Sequence, residues 1–375
     1  MNWAITNNKD WSALENQFSW VAGMRGVPQD AIHHAEGDVA IHTRMVLDAL
    51  SDLTEYQKLD AQQKEILWTA ALLHDVEKRS TTVLEDDGRI TSRGHAKRGE
   101  FTSRTILYEE VPVPFSIREQ VCALVRYHGL PLWIFDKPDP VKAVIQASIR
   151  VDLSLLSTLA KADVLGRLCA DQQDLLYRIN LFEELCREHQ CWGRPRQFET
   201  DLARFVYFSK ENSSPGYVPF DDWRNTVVMM SGLPGMGKDT FVNKHYRGLP
   251  VISLDDIRRR HKLKPDDSSA TGWVVQEAKE VAKGYLRKGE AFVWNATNIT
   301  RQMRSQWIEL FATYKARVRI VYVEVEYDTW LRQNREREHA VPSNVLQRLL
   351  SKLEVPSADE AHEIEYVIAD QMHKR

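Results

Sequence analysis

Apolar positions recur at helical spacing from about Asp38 to Arg187, as in "DVAIHTRMVLDAL", "KEILWTAALL" and "LLSTLAKADVLGRL", with little of the alternation that marks strands. This half predicts an all-α domain. The pattern breaks at "SKENSSPGYVPFDD", Ser209 to Asp222, where small, polar and proline residues gather as they do between folding units. Beyond it come the short β-rich runs "TVVMMS", "PVISL", "AFVWN" and "ARVRIVYVEV", separated by segments of helical pattern. That alternation predicts a parallel sheet with crossover helices. The expected organisation is a helical domain over residues 1–215 and an α/β domain over residues 216–375. Neither half shows an internal repeat or a low-complexity tract.

Composition narrows the partners. With 50 basic and 53 acidic residues among 375, the net charge is -3. No global polycation is available to coat nucleic acid, so a polyanionic ligand must be gripped locally. The four cysteines, Cys122, Cys169, Cys186 and Cys191, have neither zinc-site spacing nor the density of a disulfide scaffold, which predicts reduced thiols in a cytosol. No run is long enough to span a bilayer, and "MNWAITNNKDW" lacks the basic start and apolar stretch of an export signal. A cytoplasmic protein with no membrane partner is expected.

The run "NTVVMM" leads directly into "SGLPGMGKDTF", which places glycine, four residues, glycine and lysine between a strand and a helix. Gly232, Gly235, Met236 and Gly237 would curl backbone N–H groups around phosphate oxygens. Lys238 would reach the outer phosphates, and the next helix would present its positive end. A serine or threonine usually follows the lysine to hold magnesium; here Asp239 does, with Thr240 next, and either could make that contact. "PVISL" then ends in "DDIRRR", putting Asp255 and Asp256 at the carboxyl edge of the sheet, where open α/β folds bind ligands. A carboxylate there can take the proton of an attacking hydroxyl, and Arg258 can bind an anionic substrate. "LRQNREREHAVPSNV" supplies Arg332, Arg335 and Arg337 as candidates for a charge-neutralising lid.

The phosphate loop, "SLDDIRR", "NATN" and the arginine-rich segment before "VP" resemble, in that order, the P-loop polynucleotide 5′-kinases of nucleic-acid repair. The resemblance covers about the last 160 residues. It implies Asp255 as general base, Arg258 on the phosphate beside the acceptor nucleoside, Asp256 near the substrate, and Arg332, Arg335 and Arg337 as the lid. It also implies ATP or another nucleoside triphosphate with Mg2+. The chain departs from that pattern at Asp239 and at Asn295, where relatives often have aspartate.

The helical half holds a second set. Taken alone, His74 and Asp75 in "ALLHDVEKR" read as a hydrogen-bonded core pair. They are accompanied by His34 and His42 in "HHAEGDVAIHT", His95 in "RGHAKRGE", His128 in "VRYHGLP" and Asp163 in "KADVLGR". Imidazoles and carboxylates on separate helices are what a bundle needs to converge on a divalent transition ion. The set resembles the HD phosphohydrolase superfamily. That resemblance implies His42, His74, Asp75 and Asp163 as ligands of one metal, with His95 and His128 for a second. Asp152 competes for the last place. Such a site would activate a water and polarise a phosphorus centre. Lys78, with Arg79, would hold a phosphate oxygen, and His34 would support the site. Manganese, nickel, cobalt or copper suits these ligands better than magnesium.

The stretch around His34, Glu36 and Asp38 is most similar to the HD domains attached to transfer-RNA nucleotidyltransferases, which hydrolyse 2′,3′-cyclic phosphates and 2′-phosphates. An HD phosphoesterase followed by a 5′-kinase resembles the bacterial HD-Pnk end-healing enzymes. This implies RNA or DNA termini as substrates and a nucleic-acid ligase as a functional companion. A nucleoside or small-molecule kinase fused to a nucleotide phosphohydrolase would share both motifs, as would a triphosphate sensor controlling an HD hydrolase. Oligomeric state, donor nucleotide and RNA or DNA preference stay open at the level of sequence.

Overall fold

A computed structural model describes residues 2–263 and 268–369. They form two compact units, divided between Gln197 and Phe198.

The first unit is helical. Its main helices are α1 (Val39–Asp52), α2 (Ala61–Leu73), α3 (His95–Thr105), α4 (Phe115–Tyr127), α5 (Leu153–Leu165) and α6 (Gln172–Glu188). Polar residues set the helix starts. Asp38 accepts from Ile41 N–H to cap α1, Asp60 and Gln63 form a capping box on α2, and Asp152 accepts from Ser154 N–H at 2.8 Å to cap α5. Asp152 is thereby committed to helix initiation. Every residue of α2 from Ile66 to Leu73 is buried, as expected of a helix surrounded by others. It packs between α1 and α4, while α5 packs on α1 and α6, and α3 on α4. A short antiparallel hairpin, Val83–Leu84 with Ile90–Thr91, interrupts the helices where helical spacing alone was expected.

The second unit begins with α7 (Asp201–Ser209), ahead of the boundary expected at Ser209–Asp222. The reason is packing. Phe205 stacks on His362 at 4.0 Å, and Arg204 donates to the carbonyls of Ala358 and His362. A local amphipathic pattern does not say which core a helix joins. The sheet consists of β1 (Asn225–Ser231), β2 (Val251–Ser253), β3 (Phe292–Asn295), β4 (Ala316–Val325) and β5 (Glu363–Ala369), in the order β2-β3-β1-β4-β5. All its pairings are parallel. Between strands run α8 (Lys238–His245), α9 (Leu254–Arg260), α10 (Ser268–Lys288), α11 (Arg301–Thr313), α12 (Tyr327–Glu336) and α13 (Ser343–Leu350). Buried Val227, Met229, Trp294 and Phe311 lie in its core. The edge strand β5 was not among the sequence-predicted strands, because its residues are mostly half-buried and carry a weaker signal. No single helix among the described residues is long and apolar enough to cross a membrane.

Candidate functional site

The first site is assembled at helix ends. His74 directly follows α2, His95 opens α3, and His128 directly follows α4. His42 lies on α1 and Asp163 on α5, and these helices approach closely at Gly166. A Cβ at that glycine would come within 2.7 Å of the Val46 backbone nitrogen. His42, His74, Asp75, His128 and Asp163 are buried, and His95 is half-buried.

Hydrogen bonding fixes how the imidazoles point. His74 Nδ1 donates to the Ala71 carbonyl at 2.7 Å, His95 Nδ1 to Ser92 at 2.8 Å, and His128 Nδ1 to Val125 at 2.8 Å. A carbonyl only accepts, so each Nδ1 carries a proton, and each ring when neutral presents a lone pair at Nε2. Glu36 Oε1 lies 2.8 Å from Nδ1 of both His42 and His34. The Leu168 N–H steadies its other oxygen at 2.9 Å.

The Nε2 atoms converge on carboxylates. His42 Nε2 is 3.1 Å from Asp163 Oδ1 and 3.7 Å from Asp75 Oδ2, and His74 Nε2 is 3.2 Å from Asp75 Oδ2. On the opposite side, Asp75 Oδ1 lies 3.3 Å from His95 Nε2 and 3.9 Å from His128 Nε2, and those two nitrogens are 3.2 Å apart. The result is a buried cluster of potential metal ligands. His74 Nε2 and Asp75 Oδ1 are buried without a hydrogen-bond partner, which is costly unless a cation serves both. Ligand atoms of His42, His74 and Asp163 lie within 4.8 Å of one another, as do those of Asp75, His95 and His128. Each set could hold a divalent ion, and Asp75 turns one oxygen towards His74 and the other towards His95.

Electrostatics agree with that reading. Burial alone would favour neutral carboxyls, but Lys78 and His74 hold Asp75 well below its ordinary value, and Arg167 and His42 do the same for Asp163. Burial lowers His95, pushes His128 down to about 3 and His34 to about 4, keeping those rings neutral. His74 differs: burial opposes its charge, yet the adjacent Asp75 outweighs it and raises the imidazole. A cation between His74 and Asp75 would take the place of that proton.

Lys78 Nζ lies 2.7 Å from Asp75 Oδ2 and donates to Gln29 Oε1 at 2.7 Å. Arg79 instead extends to Glu77 at 3.4 Å. Three participants were not singled out as site residues from the sequence: Arg167, Glu36 and Gln29. Arg167 Nε donates to Asp163 Oδ1 at 3.1 Å, and its position one turn after the aspartate was the available signal. Beside His95, exposed Arg93, Lys97 and Arg98 line a cavity of about 500 Å³ with Thr81, Gly94 and half-buried Phe101.

The second site is the turn from β1 into α8. Gly232 adopts φ +138°, and a Cβ there would approach the Val323 carbonyl oxygen to 2.4 Å. Only glycine fits. Gly235 and Gly237 also have positive φ, and Met236 is buried beneath the loop. Lys238 is buried, its Nζ donating to the carbonyls of Gly232 and Leu233 at 2.8 and 2.9 Å. Burial lowers it to about 8 despite Asp239 and Asp255, and Arg337 pushes the same way as burial. Thr240 is exposed on α8. The "NATN" segment braces the loop: the Gly232 N–H donates to Thr297 O at 2.9 Å, Asn298 Nδ2 to Met230 O at 2.8 Å, and Asn295 Nδ2 to Asp239 Oδ1 at 2.7 Å.

Asp255 and Asp256 open α9 immediately after β2. Asp255 pairs with Arg258 at 3.3 Å, whereas Asp256 turns to Arg259. The lid arginines separate: Arg332 and Arg335 are exposed on α12, while Arg337, its C-cap, is half-buried with Nη1 unpartnered. Trp330 Nε1 donates to Pro234 O at 2.7 Å, tying α12 to the phosphate loop.

Comparisons with known proteins agree with this division. Residues 39–167 match the family model of the HD domain, and residues 227–356 match that of an AAA domain. The HD match lies in the helical unit and the AAA match in the α/β unit that carries the phosphate loop. HD domains bind divalent metals, and P-loop kinases use a nucleoside triphosphate with magnesium. The chain is similar to the Multifunctional CCA protein of Methylococcus capsulatus, 34% identical over 122 residues that make up 32% of this chain and 26% of that one. A protein of the same name from Halorhodospira halophila is 32% identical over 116 residues, 31% of this chain and 25% of that one. The chain therefore spans about a quarter of the length of these curated relatives. Among solved structures it is similar to one described as a kinase from Chloroflexus aurantiacus (16% identity, TM-score 0.34, covering 39% of this chain and 86% of that one). Another is a sugar kinase from a Janibacter species (17%, TM-score 0.30, covering 38% and 85%).

Proposed function

We propose that this protein heals broken nucleic-acid ends. The helical unit removes a 2′,3′-cyclic phosphate, 2′-phosphate or 3′-phosphate, and the α/β unit transfers the γ-phosphoryl of a nucleoside triphosphate to a 5′-hydroxyl. The observation that carries the reading is the pairing, in one chain, of a buried His/Asp cluster that could hold divalent ions with a phosphate loop whose lysine feels the exposed Asp255 carboxylate. A divalent ion in that cluster would activate water and polarise the phosphorus centre. Asp75 and Asp163 supply the anionic ligands, Lys78 stands beside Asp75 to meet a phosphate oxygen, and Arg93, Lys97 and Arg98 offer cations to the strand next to the scissile phosphate. In the second unit Asp255 accepts the proton of the attacking hydroxyl, while Lys238 and Arg337 stabilise charge on the transferred group. Arg258 meets the phosphate adjoining the acceptor nucleoside. The Asp255 side chain is 72% exposed, which leaves room for a polymer end rather than enclosing a small acceptor.

The test is an oligonucleotide bearing a 5′-hydroxyl and a 2′,3′-cyclic phosphate, incubated with ATP and separately with Mg2+, Mn2+, Ni2+, Co2+ or Cu2+. Conversion at both ends is expected, with the cyclic phosphate opened best by a transition ion. Preference for a free nucleoside over the oligonucleotide acceptor would replace this reading with that of a small-molecule kinase.

A further inference from the structure

Two positions in the second unit depart from what a phosphate loop usually carries, and the structure joins them. A hydroxyl residue normally follows the loop lysine, and a strand-end aspartate normally shares the magnesium with it. Here the residue after Lys238 is Asp239, and β3, which pairs directly with β1, ends in Asn295. Although 56 positions apart in sequence, Asn295 Nδ2 donates to Asp239 Oδ1 at 2.7 Å. Asn295 is buried and Asp239 is exposed at the loop. An amide N–H2 cannot ligate a cation, but it can fix a carboxylate through one oxygen and leave the other free to bind. Mg2+ prefers such anionic oxygen ligands and needs their geometry held closely.

We infer that the carboxylate of the magnesium site has moved from the strand end to the phosphate loop, so that Asp239 holds the ion and Asn295 is the positioning residue that aims it. Thr240 then plays no part in holding the metal. The inference rests on the reading of this unit as a triphosphate-dependent kinase. Its consequence is a coupling: whatever Asn295 contributes to magnesium is contributed through Asp239.

The measurement is ATP affinity of the full chain in Mg2+ and in EDTA. Magnesium should strengthen ATP binding of the unaltered protein by about tenfold or more, and Asp239→Ala should remove most of that gain. Asn295→Ala should lose a substantial part of it, but nothing further in the Asp239→Ala background, since a residue acting only through another shows no separate effect. Melting curves of the variants in EDTA report that each remains folded. Asp239→Ser combined with Asn295→Asp returns hydroxyl and carboxylate to their usual places and should recover magnesium dependence that Asp239→Ser alone lacks. Full magnesium dependence in Asp239→Ala, additive losses in the double alanine variant, or no recovery in the exchanged pair would overturn the inference while leaving the kinase reading intact. Failure of the unaltered protein to bind ATP in either buffer would overturn the kinase reading, and this inference with it.

Discussion

Within one arginine-rich run, burial separates residues that sequence leaves equivalent. Arg332 and Arg335 face solvent, where a guanidinium gains little from a distant phosphate through water. Arg337 is half-buried, keeps Nη1 unpartnered and is felt by Lys238. Charge in a partly dry site acts far more strongly on a developing anion. Replacing Arg337 by alanine should therefore lower the 5′-kinase kcat by about 100-fold, against changes of roughly threefold or less for Arg332→Ala and Arg335→Ala. Steady-state kinetics with an oligonucleotide acceptor decide it, and equal losses at all three positions would mean the lid is organised differently. The sequence read the three as one cluster because spacing carries no information about which side chain turns inward. Arg167 was missed for a related reason. Its place one turn after Asp163 permits a contact, but only geometry shows that its guanidinium meets that carboxylate.

At the level of elements, the first site depends on where helices stop and how closely they approach. The apolar spacing was enough to foresee α1, α2 and α5, because each buries a broad face whose periodicity is written in the residues. Their mutual distance is not written there. α1 and α5 meet over Gly166, where an added Cβ would sit 2.7 Å from Val46 N and 2.8 Å from Val46 Cα. Backbone cannot yield as a flexible side chain can. Gly166→Ala should therefore part the helices and cost about 1–3 kcal/mol, seen as a lower melting temperature in EDTA. The same shift separates His42 from Asp163, so Mn2+ affinity by calorimetry should fall with it. Unchanged affinity would show that this contact does not set the site. α7 and β5 illustrate the same limit from the other direction. Their local patterns permit a helix and a strand, but what assigns them to the second unit is contact with distant residues such as His362 and Tyr322.

The whole molecule combines two chemistries with opposite demands. The helical unit gathers imidazoles and depressed carboxylates in a buried cluster whose ligand types suit transition ions. The α/β unit sets Lys238, Arg258 and Arg337 about an exposed carboxylate, as the proposed transfer of an anionic phosphoryl group requires. Neither set contains a group the other needs, and each lies within its own compact unit. The near-balance of total charge, -3 over 375 residues, fits local gripping of an end by such clusters rather than coating of a long duplex. The two activities should therefore be separable. Asp75→Ala should reduce cyclic-phosphate hydrolysis by at least about 1,000-fold and leave 5′ phosphorylation within about twofold, because the lost carboxylate serves both proposed ion positions of the first site alone. Asp255→Ala should do the converse, removing the proton acceptor for the 5′-hydroxyl while 3′-end hydrolysis continues. Both are read on the same doubly unligatable oligonucleotide by resolving its two termini, with melting curves to establish that each variant is folded. A single substitution that abolished both reactions in a folded protein would mean that triphosphate binding gates the hydrolase, and the chain would then be a sensor rather than a pair of independent catalysts.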